Sequence, residues 1–323
     1  MNNLLKFSAI YFLLCNIACS QIKKEEPTTL KSEKEMNTDA LPNLQRRMYA
    51  IQLNVPGSFE FYVNDIPARI ENTGSMHNAS VDINAYMLKS GKYKFKLQVF
   101  PQGEDIKEGI SPETAERIKV SLNAYERNTE SFPFAKKDSF VHIVDFPTPK
   151  INKPVPFIIV EGEFEVELPY NLEGWSKSED LTKIDKKQLE SEVKEYYENL
   201  RTILNNGDGQ AYLTKWKKYD NELKKFEYTP EGSLSKADSD LIESIKTKAK
   251  GEMLPIENYK MAIYAQGKMV RLERLPTVEI NNYKANVKGR SPLLRKGKQG
   301  GVGNYPILLH KPKGSNSFEI IRK

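Results

Sequence analysis

The sequence predicts a multidomain protein, mainly β plus α+β, and three observations lead to this class. Short runs of alternating apolar residues repeat from residue 48 to residue 168, with turn residues between them. Apolar residues then recur at steps of three and four from residue 185 to residue 250, which is typical of amphipathic helices. Alternating runs return after residue 258. We therefore expect an N-terminal antiparallel β-sandwich, a central helical hairpin, and a C-terminal helix plus antiparallel sheet.

Strand and turn signals alternate in the first part of the chain. Residues 49–55 alternate apolar and polar side chains, Pro56-Gly57 marks a turn, and residues 59–63 alternate again. No helix-length pattern separates the runs, so we predict one β-sandwich over residues 45–170. The remaining runs are 79–83, 93–100, 117–124, 140–144 and 157–168.

Helical spacing begins at Asp185, a good capping residue, and the first helix is predicted to stop at Asn206-Gly207. A second helix follows, and a third is predicted from Ser235, a candidate capping residue, to Lys250, ending at Gly251. We interpret the aromatic stripes as core rather than as a groove for a partner, because apolar residues at helical spacing usually face the interior. The stripes are Leu189, Val193, Tyr196, Leu200 and Ile203 in the first helix, and Tyr212, Trp216, Tyr219, Leu223 and Phe226 in the second.

The last part of the chain returns to strand signals. Residues 258–275 predict two strands around Gln266-Gly267, and residues 305–323 predict two more around the turn at 313–316. Helices followed by an antiparallel sheet indicate an α+β domain, which we assign to residues 171–323.

Basic residues are concentrated between Glu279 and Glu319, a stretch that contains no acid. Such a segment could meet an acidic partner, such as lipid headgroups, an anionic glycan or an acidic protein. The alternative is a solvated loop balanced by the acidic stretch 161–198, and we favour that alternative. The candidate ligand-binding residues in the basic stretch are Lys288, Arg290, Arg295 and Lys298.

The N-terminal stretch predicts export. Residues 1–6 carry one cation, and an apolar run too short to cross a bilayer follows at 7–14. Ala18 precedes Cys19, and this junction resembles the lipobox of bacterial lipoproteins, although Asn16 stands where that pattern usually has leucine. The resemblance implies a signal peptide over residues 1–18 and a diacylglycerol on the Cys19 thiol. An ordinary signal peptide and an uncleaved anchor are the alternatives.

Cysteine usage favours the lipid anchor. The sequence has 2 cysteines, Cys15 and Cys19, so a mature chain that starts at Cys19 has no thiol pair to oxidise. Residues 19–44 are rich in Lys, Glu, Thr and Ser, which predicts a disordered tether. Ser20 resembles lipoproteins of an outer membrane, and Lys24-Glu25-Glu26 is similar to a surface-export signal of the Bacteroidota. A plain charged tether is the alternative to that signal.

The stretch from residue 59 to residue 101 resembles the galactose-binding-like jelly roll that many glycosidases carry as an accessory module. The likeness rests on the Val-Asn-Asp turn at 63–65 and on the Leu-x-x-Gly step at 88–91 that leads into a strand. It implies a spacer or docking surface, with sugar binding in some members. Tyr86 and Tyr93 would then be candidate glycan-binding residues, although alternating aromatic residues of a strand more often face the core.

Residues 196–216 resemble the opening helices of nuclear transport factor 2-like proteins. That resemblance implies a curved sheet and helices around a cone-shaped pocket. The family includes enzymes, but their usual pocket Asp and His cannot be mapped onto this sequence.

The motifs found in the sequence do not identify an enzymatic reaction. Ser233 and Lys236 match the Ser-x-x-Lys spacing of penicillin-interacting enzymes without their partner motifs. The histidines His77, His142 and His310 are far apart and show no metal-ligand spacing, so we predict neither a metal nor another cofactor. The net charge of +6 is too mild an excess to indicate nucleic-acid binding.

We therefore predict an exported outer-membrane lipoprotein, surface-exposed or periplasm-facing, that acts by binding rather than catalysis. Its partners would be the bilayer, through acylated Cys19, and a glycan or protein ligand. The alternatives are an immunity-type protein that neutralises a toxin through its basic tail, and an enzyme built on the cone-shaped pocket. A pocket lined by a paired Asp and His would favour catalysis, an exposed aromatic row on the sandwich a glycan, and a flat basic face a protein partner.

Overall fold

The computed structural model describes the chain from residue 45 onwards, with short gaps. The predicted leader, the predicted tether, Cys19 and Lys298 lie outside the described residues. Within them the predicted class is confirmed, because the chain forms antiparallel sheets and helices in a mainly β and α+β arrangement. The described ranges are 45–72, 74–102, 105–129, 135–230, 234–275, 277–280, 283–286, 288–297 and 301–323.

The first lobe, residues 47–168, is a sandwich of two antiparallel sheets. Its strands are β1 (Arg47–Pro56), β2 (Phe59–Val63), β3 (Ile66–Glu71), β4 (Met76–Asp82), β5 (Gly91–Val99), β6 (Lys119–Glu126), β7 (Val141–Phe146) and β8 (Ile158–Val166). One sheet has the order β4-β1-β6-β7 and the other β3-β2-β5-β8. Each of these strands except β3 corresponds to an alternating run predicted from the sequence. The buried residues of β3 do not alternate. Two short helices, α1 (Asp105–Glu108) and α2 (Pro112–Glu116), lie between β5 and β6.

Alternation explains the core of the first lobe. Successive side chains of a strand point to opposite faces, so every second residue of β1 faces the other sheet. These inward residues are almost fully buried, and β2, β5 and β8 supply the facing layer. The inward residues of β1 are Tyr49, Ile51, Leu53 and Val55.

Helices dominate the first half of the second lobe, residues 172–322. They are α3 (Lys186–Asn205), α4 (Gly209–Thr214), α5 (Lys217–Phe226) and α6 (Leu234–Ser244), which continues as a π-helical turn, Ile245–Ala249. As predicted, Asp185 caps α3: its Oδ1 accepts from the backbone N–H groups of Lys187 and Gln188, each at 3.0 Å. Within the described part of the chain, no helix has both the length and the apolar character needed to cross a membrane.

The second predicted helix is divided in two, which corrects the expectation of one continuous helix. Lys215 and Trp216 keep right-handed helical dihedral angles between α4 and α5. The backbone N–H of Trp216 donates to Leu213, three residues back, as in a 3₁₀ turn. Because the turn stays right-handed, the aromatic stripe continues across the break on one face.

An antiparallel sheet of order β16-β15-β10-β9 supports the helices. Its strands are β9 (Tyr259–Tyr264), β10 (Met269–Arg274), β15 (Leu308–His310) and β16 (Glu319–Arg322), which form the two predicted hairpins. Two small hairpins were not predicted. They pair β11 (Thr277–Ile280) with β12 (Tyr283–Asn286), and β13 (Leu294–Lys296) with β14 (Val302–Asn304).

The sheet of the second lobe is covered on both faces. One face forms a core with the helices, through residues such as Val193, Leu200 and Leu272. The other face packs against the first lobe, where Ile66 of β3 joins a cluster with Leu308 and other residues of the second lobe. The two lobes are therefore joined by a buried apolar contact.

Candidate functional site

A pocket with aromatic walls lies in the second lobe, between α4, α5, α6 and the segment that follows β14. We call it the aromatic pocket. Its volume is 410 Å³. Small-molecule sites usually have volumes of about 300–1,000 Å³, so the pocket is of a suitable size. The lining residues that carry its chemistry are Tyr212, Trp216, Tyr219, Asp220, Asp238 and Tyr305.

Helical spacing places three of the rings on one wall. Tyr212 lies in α4, Trp216 in the turn and Tyr219 in α5. The Trp216 and Tyr219 rings meet edge to face, with centroids 5.3 Å apart and planes at 78°. Tyr305 comes from the distant β14–β15 segment and meets Tyr212 in the same way, at 5.8 Å and 71°. Rings at such steep angles form the sides of a box rather than a stack.

Two carboxylates lie beside the rings. Asp220 belongs to α5 and Asp238 to α6, and both side chains are partly buried. Burial raises the pKa of Asp220, the negative charge of Asp238 raises it further, and the ammonium groups of Lys323 and Lys224 partly offset both effects. The two acids therefore interact electrostatically and make this side of the pocket negative when ionised.

The ammonium group of Lys323 lies over the rings of Trp216 and Tyr219. The Lys323 Nζ is 5.5 Å from the centroid of the Tyr219 ring and 5.9 Å from that of the Trp216 ring. A cation within about 6 Å of an aromatic face is attracted by the negative charge of that face. Trp216 and Tyr219 therefore turn their faces toward a common point, although their planes are nearly perpendicular.

One polar atom of the pocket lining is buried without a partner. Among the described residues, no hydrogen-bond partner is present for the amide Oδ1 of Asn304, which lines the pocket. A buried polar atom without a partner costs about 1–3 kcal/mol, so a polar group that reached this oxygen would be stabilised by it.

Close packing of α4 against α6 determines the width of the pocket. A Cβ on Gly209, the first residue of α4, would lie 2.6 Å from the Cα of Ile242 in α6. Only glycine fits there without movement of a helix. The Asp208 side chain caps α4 by accepting from the Ala211 N–H at 2.9 Å. These contacts hold α4, which carries Tyr212, against α6, which carries Asp238.

The tyrosines named as candidate glycan-binding residues lie away from this pocket. Tyr93 is 8% exposed in the core of the first lobe, where its hydroxyl donates to the Lys89 carbonyl at 2.7 Å. Tyr86 is partly buried, and its hydroxyl donates to the Ala68 carbonyl at 3.4 Å. Burial raises the pKa of Tyr86 to about 12. The described structure thus places neither ring on an open surface.

The three described basic candidates have different neighbours in the structure. Lys288 is exposed, and its Nζ lies 5.2 Å from the ring centroid of Phe100 in the first lobe. Arg290 is also exposed, and its backbone carbonyl accepts from the Arg274 N–H. Arg295 lies in β13, where its charge partly offsets the burial that raises the pKa of Tyr305. Only Arg295 is therefore next to the aromatic pocket, while the fourth candidate, Lys298, is outside the described residues.

Ser178, His310 and Glu319 form a row that has the residue types of a catalytic triad. The Ser178 Oγ is 2.7 Å from the His310 Nδ1, and the His310 Nε2 is 3.4 Å from the Glu319 Oε2. Ser178 is 3% and His310 2% exposed. The row therefore fastens the segment before α3 to β15 and presents no open nucleophile. In the part of the chain that the structure describes, no cluster of His, Cys, Asp and Glu is arranged to hold a metal ion.

Sequence reasoning found the aromatic stripe but not the pocket. Tyr212, Trp216 and Tyr219 are 2–7% exposed and belong to the second core, as predicted, yet they also form a pocket wall. A signal was present, because these positions carry Tyr and Trp rather than aliphatic residues. Such side chains bring polar atoms that need partners when buried. The opposite wall, with Asp238 and Tyr305, comes from segments that sequence proximity does not connect.

Comparison of the chain with protein-family models, curated proteins and solved structures finds no match.

Proposed function

We propose that this protein is an exported lipoprotein, held at a membrane by an acylated Cys19, that binds a small molecule in its aromatic pocket. The observation that carries the proposal is the 410 Å³ pocket with perpendicular aromatic walls and two carboxylates. Aromatic side chains supply most of the contact area in small-molecule sites, and a few polar groups orient the ligand. The sequence around Cys19 supports the anchor.

Binding is better supported than catalysis. The described residues that line the pocket include two aspartates and no histidine, so the pair of Asp and His expected for the enzyme alternative is missing from the lining. General acid–base catalysis needs a group poised to exchange a proton near neutral pH. The lining supplies instead aromatic rings and two carboxylates, which favour recognition of a ligand.

A fragment screen tests the pocket directly. Ligand-observed NMR would be run on the protein with a library of small aromatic, cationic and saccharide fragments. Ala237→Trp adds a large side chain from an exposed position that lines the pocket. Lys236→Trp, one residue earlier and also exposed, is the matched control. We expect fragments to bind the wild-type and Lys236→Trp proteins and to lose binding to Ala237→Trp.

Two outcomes would refute the pocket as the binding site. One is a screen without specific binders, and the other is a set of binders that Ala237→Trp still accepts. Thermal melting of each variant would show that loss of binding does not reflect loss of folding.

The anchor needs a separate experiment in bacterial cells. Metabolic labelling with a fatty-acid analogue is expected to mark the wild type, and Cys19→Ala is expected to be unlabelled and released. Protease shaving of intact cells would then distinguish a surface lipoprotein from one that faces the periplasm. Absence of label in the wild type would overturn lipid attachment while leaving the pocket untouched.

A further inference from the structure

We infer that the aromatic pocket binds the ammonium group of a small organic cation. The inference rests on the proposed function and specifies the ligand class. Three features of the pocket converge on a positive charge: the orientation of its rings, its paired carboxylates, and the position of the chain's own lysine.

The rings form a partial cage. Trp216 and Tyr219 meet at 78°, Tyr212 and Tyr305 meet at 71°, and Tyr212 and Trp216 are inclined at 56°. Aromatic faces carry negative charge, and the faces of Trp216 and Tyr219 are both directed toward the position of the Lys323 ammonium group. Quaternary and alkylated ammonium groups are recognised by this kind of arrangement.

The carboxylates add a net negative charge at the same place. Asp220 and Asp238 line the pocket from two different helices, and the negative charge of Asp238 adds to the effect of burial in raising the pKa of Asp220. Like charges placed close together in a partly buried site repel, and a cation between them relieves that repulsion. Asn304 also lines the pocket, and its buried Oδ1 has no hydrogen-bond partner among the residues that the structure describes.

The position of the Lys323 ammonium group shows where a cation can lie against the rings. Its Nζ lies within 5.9 Å of both the Trp216 and Tyr219 ring centroids, and its charge acts on Asp220. The residue is exposed and its side chain is flexible, so a ligand could displace it at small cost. Lys323 thus acts as a weak internal competitor for the site.

A neutral sugar fits the pocket less well. Sugars stack on one open ring face, whereas the Trp216 and Tyr219 rings meet at 78° and the Tyr212 and Trp216 rings at 56°. A neutral sugar would also displace water from the two ionised carboxylates in the wall without supplying a compensating positive charge. A cation compensates for that loss.

The test compares choline with 3,3-dimethyl-1-butanol, which has the same shape but carbon in place of the charged nitrogen. Isothermal titration calorimetry on the whole chain is expected to show choline binding at least about tenfold more tightly, because only choline presents a cation to the ring faces and carboxylates. Asp220→Asn is expected to weaken choline binding severalfold without changing the affinity for the neutral compound. Lys323→Met removes the competing charge and is expected to strengthen choline binding.

The outcomes separate this inference from the proposed function. Equal affinity for choline and its neutral analogue would overturn the inference. Binding of fragments but not of choline in the pocket would also overturn the inference, while the proposed small-molecule binding would stand. If neither choline nor any fragment bound, both would fail. Melting temperatures of Asp220→Asn and Lys323→Met near that of the wild type would show that these substitutions act on binding rather than on folding.

Discussion

Arg322 lies buried where both lobes and the helices meet. Its Nη1 donates to the Glu222 Oε2 at 2.9 Å, and its Nε donates to the Ala85 carbonyl of the first lobe at 2.5 Å. The guanidinium also lies 4.9 Å from the Trp175 ring centroid and 5.1 Å from that of Phe226. A planar cation with several donors suits such a site, because it can pair, bridge and stack at the same time.

We expect Arg322→Met to destabilise the fold by about 3–5 kcal/mol, because it leaves Glu222 buried without its charge partner. Glu222→Gln should also destabilise, and the double variant should lose less than the sum of the two single changes. Urea denaturation of all four proteins measures this coupling. The exposed pair of Lys94 and Glu163, 2.8 Å apart, is the matched control and should show a much smaller effect. Additive effects at Arg322 and Glu222 would contradict the prediction.

His310 is expected to make stability depend on pH. Burial lowers its pKa below the ordinary 6.5, and the Lys218 charge acts in the same direction, while Glu319 and Glu222 oppose them. The unfolded chain then binds a proton more readily than the folded chain, so stability falls as pH drops through about 6.5 toward the lower folded pKa. His310→Gln should lose less stability than the wild type between about pH 7.5 and pH 5.5.

Urea denaturation at both pH values measures that difference. His142, whose side chain is about half exposed at 51%, provides the control variant His142→Gln. An identical pH dependence in the wild type and His310→Gln would show that His310 does not carry the effect.

Secondary structure follows local signals where one periodicity holds over a whole element. Asp185 begins α3 and Gly207, with φ +76°, follows its end, as the capping residues predict. The apolar stripe after Gly207 does not indicate that the helix is interrupted at Trp216. The turn between α4 and α5 is right-handed, so the stripe stays on one face. Predicting β3 and the hairpins β11–β12 and β13–β14 required pairing partners that local pattern does not reveal.

Gly209→Ala tests whether the contact of α4 with α6 shapes the pocket. The added methyl would lie 2.6 Å from the Ile242 Cα, so one helix must move. We expect a loss of about 1–3 kcal/mol in the free energy of unfolding and weaker binding of pocket fragments. Gln210→Ala, at the exposed next position, is the control. Unchanged fragment affinity in Gly209→Ala would show that the spacing of these helices does not limit binding.

At the scale of the whole molecule, the two lobes share an interface. Ile66 of the first lobe packs with Met269, Leu308 and Ile321 of the second, and all four are fully buried. Apolar burial of this kind couples domains that would otherwise unfold separately. Along the chain, the main core of the first lobe ends at Leu168 and that of the second begins at Leu172.

We expect the lobes to unfold in one transition. Both tryptophans, Trp175 and Trp216, belong to the second lobe, so tryptophan fluorescence reports on that lobe. Hydrogen exchange in β5 and β8 reports on the first. Their urea midpoints should coincide in the wild type and separate in Ile66→Asp, which buries a charge in the interface. Ser80→Asp, on an exposed site of the other sheet, is the control. Separate midpoints in the wild type would contradict the prediction.

Local patterns in the sequence are sufficient to predict the fold class, most of the strands and the start and stop of α3, because strand and helix periods and capping residues act over a few neighbouring positions. They also predict that Tyr212, Trp216 and Tyr219 face the interior, and this is confirmed. That the same rings form a pocket wall follows from tertiary packing. Tyr305, Asp238 and Lys323 reach that wall from separate segments, and the packing of α4 against α6 and of β16 against α5 brings them there. Contacts between residues far apart in the chain are set by how whole elements pack, which no local pattern encodes.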